Sequence, residues 1–207
     1  MLKHFRERLG WTQAELAKKA GYSERLVSKA ESGKAISKKT IEHLAEAVST
    51  PTNVVFPEDL ISDPVQIARK YIEGLYVHQA DGFRHFRPYL DEDVEFYIAG
   101  DPQTVPFAGR YKGLEQIQAL FKQFFSFIES PPNHDYEPHY KFIGQGNEVI
   151  VWGQSWLHPI GRPLTEPMEL TQLMKFRRGK LYHFEDRYDT SLAEKLLNDQ
   201  AHDSFDD

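Results

Sequence analysis

Residues 11–34, WTQAELAKKAGYSERLVSKAESGK, hold the most informative set of residue types at fixed spacing in the chain. Thr12 can cap a helix that carries Gln13, Leu16, Ala17 and Ala20. Gly21 then supplies the left-handed residue that closes it, and Ser23 caps the next helix. A tight turn of this kind sets two helices at a steep angle, so that the second can enter a major groove. The chemistry on offer is hydrogen bonding to base edges and phosphates.

Other elements must hold that pair in place. Residues 1–56 alternate short helical patterns with polar turns: a helix over 2–9, one from Gln13, one from Ser23, and a fourth capped by Ser37. In the fourth, Ile41, Leu44, Ala45 and Val48 form one apolar stripe. Four such short helices need each other to bury their stripes. Ser49-Thr-Pro-Thr-Asn53 breaks the pattern, and residues 57–63 read as a linker.

From residue 64 the character changes. Asp63-Pro64 starts a helix in which Val65, Ala68, Ile72, Leu75 and Gln79 share a face, with Tyr71 and Tyr76 beside it. Residues 94–98 are strand-like. Residues 113–129 make the strongest helical pattern, through Leu114, Ile117, Leu120, Phe121, Phe124, Phe125 and Ile128. Four strands are expected over 136–144, 148–158, 168–177 and 181–188, joined as hairpins at 144–147, 159–163 and 178–180. A closing helix over 191–197 precedes an acidic tail, 198–207, frayed from Ala201 onward. The expected fold is therefore two domains: an all-α bundle over 1–56, then an α+β domain over 64–197 with helices packed on one antiparallel sheet.

Composition narrows the function classes. The chain has 207 residues, 40% hydrophobic and 27% charged, which is enough apolar material for packed cores. It has no cysteine, which excludes disulfides, thiolate metal sites and cysteine nucleophiles. The start, Met1-Leu-Lys-His-Phe-Arg-Glu-Arg8, is charged too early for a signal peptide. No apolar run approaches the roughly 18 residues that span a bilayer, so a cytoplasmic protein without a membrane partner is expected. The net charge of −6 divides unevenly, +4 over residues 1–50 and −10 over the remainder. A basic first module followed by an acidic second one suits phosphate binding at one end only.

The first 50 or so residues resemble the phage-repressor, or xenobiotic-response-element, type of helix-turn-helix. Thr12-Gln13, Glu15-Leu16-Ala17, Gly21, Ser23, Val27-Ser28 and Glu31-Ser-Gly33-Lys34 carry the resemblance. It implies that Gln13 begins the second helix and reaches a phosphate or a neighbouring side chain. It also implies that Arg6 and Glu31 pair to hold the first helix against the third. The outward face of the third helix then holds Ser23, Glu24, Arg25, Ser28 and Lys29. Arg25 or Lys29 can bond to guanine O6 and N7, and Glu24 can accept from cytosine N4. Lys34, Lys38 and Lys39 are phosphate candidates, which position rather than specify. Leu26 is open between a thymine methyl contact and an exposed apolar side chain. One module reaches one half-site and binds in the micromolar range or weaker, so a homodimer on double-stranded DNA is required.

Residues 64–197 resemble the nuclear-transport-factor-2-like superfamily, in particular its SnoaL-like cyclase branch. The features are the helix from Pro64, the Leu90-Asp-Glu-Asp-Val94 lead-in, Phe107-Ala-Gly-Arg-Tyr-Lys-Gly113, the Gly179-Lys180 hairpin and Arg187-Tyr-Asp-Thr190. The resemblance implies a curved sheet closed on helices as a cone-shaped barrel, with a pocket in the concavity and a dimer through the sheet. Strand alternation then puts Trp152, Gln154 and Trp156 inward on one strand, Leu170, Gln172 and Met174 on the next, and Phe184, Asp186 and Tyr188 on the last; Tyr71 enters from the helix. These walls fit either a site for a small apolar ligand or a filled cavity.

Relatives with isomerase activity use a carboxylate base beside an oxyanion-binding tyrosine. Tyr71 resembles that tyrosine, but the basic aspartate falls on or near Ile98 and the second acid on or near Gln172, neither of which can do that chemistry. Asp186 is the one catalytic candidate, as a buried base or, equally, as part of a surface ion-pair cluster with Glu185 and Arg187. His134, His139 and His158 lack ligand spacing, so no metal or other cofactor is expected.

Overall fold

A computed structural model describes residues 1–203. Four helices open the chain: α1 (Leu2–Arg8), α2 (Gln13–Ala20), α3 (Glu24–Glu31) and α4 (Lys38–Val48). They begin and end where local hydrogen bonding dictates. Thr12 accepts from the Glu15 N–H while the Glu15 carboxylate accepts from the Thr12 N–H, a complete capping box. Ser23 and Ser37 cap α3 and α4 through their hydroxyls alone, accepting from the Leu26 and Thr40 N–H groups. Gly21 ends α2 at φ 75°, a conformation that a side chain would strain. Leu2, Phe5, Leu16, Val27, Leu44 and Val48 interlock as one apolar cluster.

The segment expected to be a linker is a helix, α5 (Pro57–Ile61), and it is docked. Asp59 is only 1% exposed. Its carboxylate accepts from the Phe56 N–H at 3.0 Å and the Gly179 N–H at 3.2 Å. The Arg178 guanidinium lies 4.2 Å over the Phe56 ring. Pro57 at the first helical position and Asp59 at the third explain the helix. The docking was hidden because its partner lies 120 residues further along the chain.

The remainder consists of α6 (Pro64–Glu73), a π-helical turn over Gly74–His78, α7 (Gly82–Phe86), β1 (Leu90–Ile98), β2 (Gly109–Lys112), α8 (Gly113–Phe124), β3 (Ile128–Glu129), β4 (Tyr140–Gln145), β5 (Glu148–Ser155), β6 (His158–Pro159), β7 (Met168–Arg177), β8 (Lys180–Tyr188) and α9 (Thr190–Asp203). Six strands form one sheet in the order β2-β1-β8-β7-β5-β4, and β3 pairs with β6 apart from it. The sheet curves over α6 and α8 but does not close into a barrel. Nor is it wholly antiparallel: β1 runs parallel to β8. A parallel pair needs a long crossover, and everything between residues 98 and 180 supplies it. Alternation within each strand carries no information about that pairing.

Several boundaries also moved. The helix over 113–129 stops at Phe124, because Phe127 and Ile128 serve the same core from a chain that has already turned toward β6. Glu137-Pro138-His139 forms a 3₁₀ turn, so β4 starts at Tyr140 rather than 136. The closing helix starts at Thr190 and runs through Asp203; residues 204–207 of the expected tail lie outside the described residues.

Gly153 shows why this sheet tolerates little added bulk. It stands opposite Tyr140 in the β4–β5 register, and a Cβ there would run into the Tyr140 ring. Gly153→Ala is expected to destabilise the C-terminal part by roughly 1–3 kcal/mol through overpacking. Urea titration followed by Trp fluorescence checks this, and an unshifted midpoint would mean that the ring moves aside freely.

Candidate functional site

Two regions carry chemistry, and the first is the outward face of α3. Val27 points into the core and Ala30 is half-buried, which leaves Glu24, Arg25, Ser28 and Lys29 exposed together. Ser23 is exposed at the cap, Lys34 lies in the turn after α3, and Lys38 opens α4 beside Glu42 at 3.9 Å. Leu26 is half-buried and packs against the N-terminal cluster.

A buried ion pair fixes the angle of this face. Arg6 Nε donates to Glu31 Oε1 at 2.6 Å, Nη2 to Oε2 at 3.1 Å, and Nη1 to the Trp11 carbonyl at 2.6 Å. The side chains are 9% and 5% exposed. Gln13 Nε2 donates to the same carboxylate at 2.8 Å, so in this structure it takes the neighbouring-side-chain role rather than facing outward. Burial by itself would raise the Glu31 pKa; the hydrogen bonds from Arg6 and Gln13 outweigh it and hold the carboxylate below its ordinary range.

The second region is a cavity of about 100 Å³ between α6, α8 and the sheet. Five residues expected in its wall are there: Tyr71, Leu170, Gln172, Asp186 and Tyr188. Met174 and Phe184 are fully buried but lie outside the wall; the Phe184 ring packs 4.9 Å from Tyr71 and 4.5 Å from Phe96. The expectation for β5 was out of phase by one residue. Val149, Val151, Gly153 and Ser155 face inward, while Trp152 and Gln154 point away. Trp152 is 48% exposed, with the Lys141 amine 5.0 Å from its ring. Alternation alone does not say which face is inner, and a cation over its indole suits Trp152 to the outer face. Trp156 lies beyond β5 among His134 and His139, and not in the wall.

Sequence reasoning missed the share of α8. Phe121, Phe124 and Phe125 line the cavity, as does Ile98 of β1. The signal was present in the apolar stripe of 113–129, which periodicity marks only as a helix.

Asp186 dominates the electrostatics. It pairs with Gln172 across β7 and β8. The residue is half-buried overall, but its Oδ1 has no contact with solvent and no hydrogen-bond partner among the described residues. Burial pushes its pKa up to about 7, and hydrogen bonds from the Gln172 side chain and the Arg187 backbone pull it only partly back. The expected alternative, an ion-pair cluster at the surface, forms without it: Arg187 and His183 bond to Glu185 at 2.9 and 3.0 Å. Burial, then the nearby Asp186, holds the Tyr71 hydroxyl neutral far above its ordinary range.

Comparisons with known proteins fall on the two parts of the chain separately. Residues 2–54 match the helix-turn-helix family, which supports a DNA-binding regulator and a DNA partner. No curated protein sequence matches the chain. The C-terminal part has the fold of NTF2-like proteins. One from Burkholderia pseudomallei is 19% identical with a TM-score of 0.53, covering 66% of this chain and 98% of its own. Another, from Burkholderia xenovorans, is 21% identical with a TM-score of 0.52, covering 65% and 95%. A protein from Rhodopseudomonas palustris, provisionally described as an isomerase, is 17% identical with a TM-score of 0.52, covering 68% and 96%. At these identities the likeness establishes fold alone. No helix among the described residues is long and apolar enough to cross a membrane.

Proposed function

We propose that the chain is a sequence-specific transcriptional regulator. Residues 1–56 read double-stranded DNA, 57–63 connect, and 64–197 dimerise and take a small, largely apolar ligand in the cavity. The observation that carries this reading is the exposed Glu24-Arg25-Ser28-Lys29 face on a rigidly braced helix-turn-helix, joined to a fold with an unfilled cavity. Ligand binding shifts the spacing of two recognition helices, provided the ligand binds one arrangement more tightly than the other. The docked α5 supports such coupling: Asp59 bonds to the hairpin that joins β7 and β8, the strands that carry Gln172 and Asp186.

The test is an unbiased selection of genomic fragments by the purified protein, with an Arg25→Ala/Lys29→Ala variant as control. Enrichment of a paired half-site that the variant loses is the expected result; enrichment of nothing, with or without small-molecule extracts, counts against it. Arg25→Ala alone is expected to cost roughly 1–3 kcal/mol at the selected site and to relax its specificity. Equal affinity in a titration at fixed salt would remove Arg25 from the reading face.

The outward face of the sheet supports dimerisation with a second copy. Ile143, Ile150 and Leu173 stand side by side across β4, β5 and β7, and Trp152 lies two residues along the same face. Ile143, Ile150 and Trp152 are all exposed. Trp152→Glu is expected to weaken self-association by roughly 2 kcal/mol or more, read by analytical ultracentrifugation. An unchanged sedimentation profile would move the dimer to another surface.

A cyclase- or isomerase-like enzyme is the second reading, and one observation favours it: a carboxyl with a pKa near 7 beside a neutral tyrosine suits a general base and its oxyanion partner. Loss of turnover of an enolisable substrate in Asp186→Asn, with DNA binding intact, would favour the enzyme.

A further inference from the structure

The polar groups that line the cavity are unevenly committed. The Tyr188 hydroxyl donates to the Ala99 carbonyl at 2.7 Å. The Tyr140 hydroxyl is 2.9 Å from that of Tyr76. The Ser155 hydroxyl accepts from the Leu157 N–H at 3.3 Å. Two fully buried atoms of this wall are left without partners among the described residues, and both are acceptors: Gln172 Oε1 and Asp186 Oδ1. The remaining polar group of the wall, the Tyr71 hydroxyl, is held neutral and can donate. Gln172 itself is 1% exposed. The two residues face each other in the β7–β8 register. Among the described residues no Lys, Arg or His lines the cavity. Buried acceptors without donors are destabilising, and an occupant that brings donors removes that cost.

Size narrows the occupant further. An apolar cavity of about 150 Å³ takes a benzene, so one of about 100 Å³ has room for one ring at most within its walls. The aromatic wall from α8 suits such a ring.

We infer that the cavity takes a single-ring molecule presenting an O–H or N–H donor to Gln172 Oε1 and Asp186 Oδ1, in preference to a hydrocarbon or an anion. This rests on the reading of the cavity as a ligand site. A ketone leaves both buried acceptors unmet. A carboxylate adds a like charge with no cation nearby.

The experiment is thermal melting and calorimetry of the full chain at pH 8 with four probes: phenol, benzylamine, toluene and benzoate. Phenol or benzylamine is expected to bind roughly tenfold tighter than toluene, the worth of one net hydrogen bond, with no binding of benzoate. Tighter phenol identifies a neutral donor, and tighter benzylamine a cationic one; both support the inference. Toluene or benzoate binding as well as both donors overturns it while leaving the cavity a ligand site. No binding by any probe overturns both.

Gln172→Met and Asp186→Leu are expected to abolish the preference for donors. If Asp186→Leu fails to fold, Asp186→Asn keeps the shape and removes the charge, and is expected to cost benzylamine more than phenol. A preference unchanged in Gln172→Met and in whichever Asp186 variant folds also overturns the inference.

Discussion

Arg6→Ala is expected to unfold the N-terminal helices under conditions where the C-terminal part stays folded. The substitution removes two hydrogen bonds to Glu31 and one to the Trp11 carbonyl. It leaves a carboxylate 5% exposed with Gln13 as its remaining side-chain donor. Breaking one side of a buried pair costs about 3–5 kcal/mol, because the surviving charge stays desolvated. A four-helix unit with so small a core has little more stability than that. Guanidinium titration should show an early transition reported by Trp11 and a later, unmoved one reported by Trp152 and Trp156. DNA binding should be lost with the first.

Arg6→Lys restores charge but not the two-pronged geometry, so it should recover only part of the loss. The pair also sets an acid limit. The Glu31 pKa is depressed in the folded state, so its contribution is present above the unfolded value and lost as pH falls through the folded one. A shift below about 1 kcal/mol in Arg6→Ala, the range of an exposed pair, would mean that something else braces α3.

Asp186→Asn is expected to stabilise the protein at neutral pH. The wild-type carboxyl has its pKa raised from 3.8 to about 7. Its favourable contribution is therefore complete below about pH 4 and lost progressively as pH rises to about 7, where the folded state finally ionises. The whole change amounts to about 4 kcal/mol at the outside. The amide does not titrate, so the difference between variant and wild type should grow from pH 4 to pH 7 and then level off. Urea unfolding at several pH values measures it. A difference independent of pH would show that the carboxyl is solvated in the folded state. A gain in stability on removing a functional group is the usual mark of a site whose residues were kept for binding or chemistry.

The N-terminal module was legible almost in full. A capping bond such as Thr12 to Glu15 spans three residues, and Gly21 acts through its own φ, so spacing along the chain determines geometry directly. The Arg6–Glu31 pair followed from a family pattern at fixed offsets. In the C-terminal part the expected span 168–177 coincides with β7, because a long, well-alternating strand with turn signals at both ends announces itself.

Tertiary structure decided the rest. Alternation has a period of two but no absolute phase, and in β5 the larger side chains, Ile150, Trp152 and Gln154, lie on the outer face. Only packing against Tyr140 and the helices determined that Gly153 and Ser155, not Trp152 and Gln154, turn inward. The parallel β1–β8 pair and the bond from Gly179 to Asp59 join segments about ninety and 120 residues apart, where local propensity says nothing. Asp186 was visible as a residue, but whether it would be a surface ion or a buried acid was not. Its pKa depends on the medium around one oxygen, and the fold alone supplies that medium.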